Sequence, residues 1–275
     1  MFKRLKRIKD LLWAAAIGLS LLFLFVGLIA ASFTSYHGDR TRPVMNLRGE
    51  KQEENAPAET AAVKRSGLQP DGTLHPLAET GDAGESYLDS LTFLCDSSFS
   101  ALRGSDLTKA SVWSSETGSL PMNIIDSWKI RYPVDGSSIS PASAAMTAKP
   151  AVLILAVGSD GTQDMTKDGF VENYTSLIRA IAKGSPDTRV ICLSLPSVSV
   201  SYAGGDMSKD RAEEINGWIK SVCVETGAYY ADLGDTVCKD GWLREEYADG
   251  SGRALNAAGL RELLNYLRDH SLDAQ

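Results

Sequence analysis

The chain reads as an α/β protein: a three-layer α/β/α sandwich on a five-stranded parallel sheet, preceded by one transmembrane helix. Three observations lead there. Ala151–Val157 (AVLILAV) and Arg189–Leu195 (RVICLSL) are near-continuous apolar runs, typical of strands buried on both faces. Helical apolar spacing alternates with these runs, and that alternation implies crossover helices on a parallel sheet. A separate, charge-free apolar run lies near the N-terminus.

That first run, Leu11–Phe33, spans 23 residues. As a helix it is about 34 Å long, enough to cross a hydrocarbon layer of roughly 30 Å. Trp13 and Tyr36 flank it, where amphipathic rings suit the interface. Lys3, Arg4, Lys6, Arg7 and Lys9 precede it, which places the N-terminus in the cytoplasm and everything after residue 36 outside. Ala30-Ala31-Ser32 also reads as a cleavage site. The run is longer than the usual h-region, however, and favours an uncleaved anchor.

Residues 37–85 are rich in Gly, Pro, Glu, Ala and Thr and keep no apolar period, as a flexible linker would. The organisation is therefore a basic cytoplasmic segment (1–10), an anchor (11–35), an extracytoplasmic linker (36–85) and a folded domain (86–275).

Within the domain, Leu91–Cys95 is a strand, Ala110–Trp113 a weaker one, and Ala151–Val157 the third. Gly169–Lys183 has helical spacing and stops at Gly184-Ser185-Pro186. Arg189–Leu195 is the fourth strand, Met207–Thr226 a helix and Ala228–Leu233 the fifth strand. Asn256–His270 closes the domain as an amphipathic helix, with Asn256 as its N-cap. The stretch Ser119–Lys149 is a long connection that either covers the sheet or shapes a pocket.

Composition narrows the function. The net charge is −7, and the first ten residues carry +4, so the remainder is strongly acidic. A nucleic-acid surface needs the opposite sign. Four cysteines (Cys95, Cys192, Cys223 and Cys238) make no disulfide scaffold and no C-x-x-C. They read as buried thiols, with a Cys223–Cys238 bond as the alternative. Gly158-Ser159-Asp160-Gly161 lacks the lysine and spacing of a phosphate loop. Neither cofactor nor metal is expected. Trp113, Trp128 and the stretch Trp242–Tyr247 read as packing residues, or as walls of a sugar-binding cleft.

Ligand sites in such sheets lie at the carboxyl ends of strands. Asp96-Ser97-Ser98, Glu116-Thr117-Gly118, Gly158–Gly161 and Asp249-Gly250 all fall there. Five stretches, in order over residues 86–270, resemble the SGNH hydrolases, also called the GDSL lipase/acylhydrolase family. FLCDSSFSAL resembles the first block, usually Gly-Asp-Ser. Gly118 sits at the second-block glycine and LILAVGSDG resembles the third block, usually Gly-x-Asn-Asp. SPDTRVICLSLPSVS resembles the fourth strand and its exit, and YYADLGDTVCKDGWLREEYADGSGRALNAAGLRELLNYL the closing segment, usually Asp-Gly-x-His-Leu. The resemblance implies a flavodoxin-like sandwich and hydrolysis of acyl esters by a serine, a histidine and usually an aspartate.

It further implies that Ser97 is the nucleophile. Gly118 and the Ser97 turn would supply backbone oxyanion donors, Gly158, Asp160 and Arg253 would line the oxyanion or substrate site, and Asp249 would be the other polar residue of the site. The sequence departs from the pattern at three places. Cys95 replaces the first glycine. Asp160 replaces the asparagine, and an ionised carboxylate accepts where a donor is needed. The histidine position falls on Gly252 when counted from Asp249, or on Ala254 when counted from Leu255. His37, His75 and His270 all lie elsewhere in the chain. Asp249, or His75 on its linker, are the remaining bases. Arg253 reads as a solvated charge or as the holder of an anionic ligand.

Two functions follow as expectations. The first is a membrane-anchored extracytoplasmic esterase or deacylase acting on acyl esters of envelope glycans. The second is an inactive relative that binds an envelope glycan or a protein partner.

Overall fold

A computed structural model of the chain describes Leu68 and residues 72–272. The anchor expected at 11–35, and most of the linker, lie outside these residues. Among the described residues no helix is long and apolar enough to cross a membrane.

Five strands form one parallel sheet in the order β2-β1-β5-β6-β7: β1 (Thr92–Cys95), β2 (Ser111–Trp113), β5 (Val152–Ala156), β6 (Arg189–Leu193) and β7 (Tyr229–Ala231). Every residue of β1 and β5 is buried, which is why these strands carry apolar runs rather than alternation. Two-residue strands β3 (Ile130–Arg131) and β4 (Ser138–Ile139) form one hairpin, and β8 (Cys238–Lys239) and β9 (Trp242–Leu243) another.

Helices α2 (Pro141–Ala148), α3 (Lys167–Gly184) and α4 (Lys209–Thr226) pack side by side on one face. Helices α1 (Gly84–Ser90), α5 (Gly234–Val237) and α6 (Ala257–Asp269) pack together on the other. The starts of the longer helices are written locally. Ser140, Thr166 and Ser208 cap α2, α3 and α4, and Asn256 caps α6 by accepting from Ala258 and Gly259. Each cap is worth about 1 kcal/mol. The three-layer fold on five parallel strands is thus the one the sequence predicts.

Two regions add to the reading. The stretch 119–149 contains a 3₁₀ segment (Met122–Ser127), the β3–β4 hairpin and α2. It is built structure over the sheet edge. Residues before Tyr87 also join the fold. Leu77 is buried and its N–H bonds Tyr230 O at 2.8 Å, while Thr80 N bonds Asp269 O at 2.7 Å. The last part of the expected linker therefore lies along β7 and α6, and α1 begins at Gly84.

The chain leaves β1 toward β2 on one side and returns through β5 on the other. The strand order therefore switches between β1 and β5, and a crevice opens beyond their carboxyl ends. The turns after these two strands hold Ser97 and Asp160.

Candidate active site

Asp96 builds the floor of the crevice. It is fully buried at the end of β1. Its Oδ2 accepts from Gly158 N (2.9 Å), Ser159 N (2.7 Å) and Ser159 Oγ (2.8 Å), and its Oδ1 from Ser98 N (3.1 Å). One carboxylate thus locks the turn after β1 to the turn after β5. Burial, with the nearby Asp160 charge, pushes its pKa up to about 7, against the pull of those hydrogen bonds. The sequence analysis passed over Asp96 as a site residue, although a carboxyl at the end of an all-apolar strand was the available signal.

Ser97 stands half-buried on the turn above. Its Oγ donates to Asp160 Oδ1 at 2.5 Å, and its N–H points at Asp160 Oδ2 at 3.2 Å. Leu120 N donates to the same Oδ2 at 2.9 Å. Asp160 is 6% exposed, and its own carbonyl accepts from Met122 N. The two backbone N–H groups that converge beside Ser97 are therefore both taken by one carboxylate. Leu120, two residues beyond the glycine the sequence singled out, supplies the second of them.

The N–H groups of Gly118 and Gly158 bond within the protein. Gly118 N bonds Ser115 O within its own turn, and Gly158 N bonds Asp96. Gly118 is glycine for a packing reason. Its φ is +85°, and a Cβ there would lie 2.9 Å from the Ser100 side chain.

Arg253 closes the crevice from the loop before α6. Its Nη1 lies 3.0 Å from Ser97 Oγ, its Nη2 lies 3.1 Å from Ser159 O, and both approach Asp160 Oδ1 at 3.5 Å. Nη2 also pairs with Asp206 at 3.4 Å. The Arg253 side chain is only 18% exposed, so it is not a solvated charge. The anions it holds are the protein's own carboxylates.

Asp249 does not reach Ser97. Its Oδ1 accepts from Ser251 N, Ser251 Oγ, Arg253 N and Ala254 N, at 2.7–3.3 Å. Partial burial opposes ionisation, but these bonds together hold its carboxyl below the ordinary range. Asp249 clamps the Arg253 loop through these bonds. The same loop carries both candidate histidine positions, residues 252 and 254. Leu255 N bonds Ser98 O at 3.1 Å, so Ala254 lies beside the Ser97 turn. Gly252 instead has φ +80°, and a Cβ there would meet Ser199 Oγ at 2.5 Å.

The histidines in the described residues stay away. His75 precedes Pro76, which bridges Tyr230 on β7, three strands from β1 in the sheet order. At roughly 4.8 Å per strand that is about 14 Å. His270 stacks on Tyr266 with ring centroids 4.0 Å apart, and its Nδ1 contacts Tyr266 O at 2.8 Å. His37 lies outside the described residues. All four cysteines are free and buried, so Cys223 and Cys238 are not joined. No group of three or more His, Cys, Asp or Glu among the described residues is placed to hold a metal ion.

Chemically the crevice holds a serine hydroxyl that donates to a carboxylate and faces a guanidinium. Arginine stays protonated and has no acceptor, so it cannot take the hydroxyl proton. An acyl oxyanion would need the Ser97 and Leu120 N–H groups, and Asp160 already occupies them.

A serine on the turn after the first strand of a five-stranded parallel sheet, with helices on both faces, defines a three-layer α/β domain. The chain belongs to the GDSL-like lipase/acylhydrolase family, whose family model matches residues 121–262. That match starts after Ser97 and Leu120 and includes Asp160, Asp249 and Arg253. No curated protein matches the chain.

Solved structures are similar at low identity. A Streptococcus pneumonia protein described under the name platelet activating factor is 16% identical at TM-score 0.49, covering 77% of this chain and 91% of its own. A GDSL-like lipase from Bacteroides thetaiotaomicron is 11% identical at TM-score 0.42, covering 68% and 89%. The periplasmic domain of a lipopolysaccharide acetyltransferase from Salmonella ser. Paratyphi A is 16% identical at TM-score 0.43, covering 76% and 87%.

Proposed function

We propose that this chain is a membrane-tethered, extracytoplasmic GDSL-family domain that has given up ester hydrolysis and serves as a binding module for an envelope glycan or a protein partner. One observation carries the reading. The Asp160 carboxylate accepts both the Ser97 and Leu120 N–H groups and the Ser97 hydroxyl, where a hydrolase needs open donors and a base. Arg253 and the lack of a histidine at residue 254 support it. The basic residues before the apolar run 11–35 support the tether and its orientation.

The test offers the full-length chain and its Ser97→Ala variant to a fluorophosphonate probe and an activated acetyl ester at neutral pH. The expected result is no labelling and no turnover by either. Labelling and turnover that vanish in Ser97→Ala would establish the competing reading, a deacylase of acyl esters on envelope glycans with Asp160 as its base. Orientation is read separately, by proteolysis of intact cells. Cleavage within the linker 37–75 is expected, and complete protection of the domain would reverse the topology.

A further inference from the structure

The segment Tyr202–Asp206, between β6 and α4, is fixed at both ends and free in the middle. Before it, Ser199 N bonds Gly252 O at 2.8 Å and Leu243 N bonds Val198 O at 3.1 Å. Ser201 donates to the Glu245 carboxylate from its N–H (3.0 Å) and its Oγ (2.9 Å). After it, Met207 is buried and Ser208 caps α4.

Between these anchors Ala203, Gly204, Gly205 and Asp206 are exposed. None of the four makes a main-chain to main-chain hydrogen bond among the described residues. A Cβ on Gly205 would meet nothing within 4 Å, so no neighbour resists a change in its backbone. A solvated backbone with few contacts marks a segment of low local stability.

One contact from outside the segment closes it. Asp206 Oδ2 pairs with Arg253 Nη2 at 3.4 Å, while the Tyr202 hydroxyl donates to Asp206 Oδ1 from within. The segment lies directly on the Arg253 loop, because a Cβ on Gly252 would stand 3.2 Å from Tyr202 Cα and Cβ. The same guanidinium reaches Ser97 Oγ at 3.0 Å through Nη1. Its two carboxylate partners among the described residues differ in exposure. The Asp160 side chain is 7% exposed and the Asp206 side chain 47%. Asp206 can therefore leave without stranding a buried charge, and Asp160 cannot.

From this geometry we infer that Tyr202–Asp206 is a lid over the Arg253 side of the crevice, latched by the Asp206–Arg253 ion pair. Release of Asp206 swings the Gly204-Gly205 arm outward, leaves Asp160 paired and bares the Nη2 edge of Arg253 to solutes. The lid controls entry whether or not Ser97 turns over an ester.

The test compares the full-length chain with Asp206→Asn and with Tyr202→Phe, which keeps the carboxylate. Elastase cleavage after Ala203 reads opening of the segment. Phenylglyoxal modification of Arg253, located by peptide mapping, reads access to the crevice. Asp206→Asn should raise both rates at least about threefold, the scale of one partly exposed ion pair. Tyr202→Phe should raise both by a smaller factor. Raising NaCl from about 0.05 M to about 0.5 M should accelerate both in the parent and neither in Asp206→Asn, because salt screens the pair. Unchanged rates in Asp206→Asn would overturn the latch. Faster cleavage with Arg253 still protected in both variants would overturn the lid, and so would equal acceleration of cleavage throughout the domain, which reports unfolding.

Discussion

Arg253 and Asp160 are 93 residues apart in sequence, and they meet at 3.5 Å directly over the Ser97 hydroxyl. Each explains the other. A nearly buried carboxylate at position 160 needs a counter-charge, and a nearly buried guanidinium needs acceptors. Together they turn a crevice that would admit an acyl group into one closed by an internal ion pair.

If the pair acts as a unit, removing one partner costs more than removing both. Arg253→Met should lower the free energy of unfolding by about 2–4 kcal/mol, because the buried Asp160 charge loses its partner. Adding Asp160→Asn should restore most of that loss. Urea unfolding of the two single variants and the double supplies the cycle, and strictly additive effects would deny the coupling.

The backbone of the 249–255 loop distinguishes two ways of restoring a histidine. Gly252→His should destabilise the fold by more than about 2 kcal/mol, since φ is +80° and its Cβ would meet Ser199 Oγ at 2.5 Å. Ala254→His should be tolerated, with a thermal midpoint close to the parent's. The reverse order of midpoints would place the family's histidine position at residue 252.

Hydrolysis should be recoverable by reversing the departures together. A variant carrying Asp160→Asn, Ser251→Asp, Arg253→Leu and Ala254→His opens the two N–H donors and sets a base beside Ser97. Turnover of an acetyl ester should rise at least about 10²-fold over the parent, the scale of one general base or one oxyanion donor. Further substitution of Ser97→Ala should abolish that gain. A well-folded variant with no gain would mean that the crevice has lost more than these side chains.

Asp96 predicts how stability depends on pH. Its carboxyl titrates near its ordinary value of 3.8 when unfolded and at about 7 when folded, through burial and the Asp160 charge. Between those values the native state holds a proton that the unfolded chain has lost. Stability should therefore fall as pH rises from about 4 to about 7, with the full cost present above that range. Urea midpoints at pH 5, 6 and 7.5 read the slope. Asp96→Asn should flatten it, and an unchanged slope would assign the dependence to other groups.

Much of this molecule was legible from local pattern. The runs AVLILAV and RVICL declared buried strands because a parallel sheet is covered on both faces and leaves no polar alternation. Asn256 declared the start of α6 because a capping side chain acts on N–H groups two and three residues ahead. The missing histidine was legible too, since it is a matter of residue type.

The elements lost to sequence reading rest on distant partners. α1 is a seven-residue helix held against α6, and residues 76–80 are too short a stretch to show a period, their partners being Tyr230 on β7 for Leu77 and Asp269 on α6 for Thr80. Leu120 carries no chemical signal, because its contribution is a backbone N–H that only the fold aims at Asp160.

The sequence by itself determined the layered α/β fold, the serine on the first strand's turn and the absence of a histidine at residues 252 and 254, because periodicity and residue identity are local properties. Tertiary structure alone decided what fills the crevice. Whether Arg253 is a solvated charge or the plug of a site depends on which carboxylates lie within 4 Å of it. Those are Asp160 and Asp206, on two different loops brought together by strand order rather than by chain proximity.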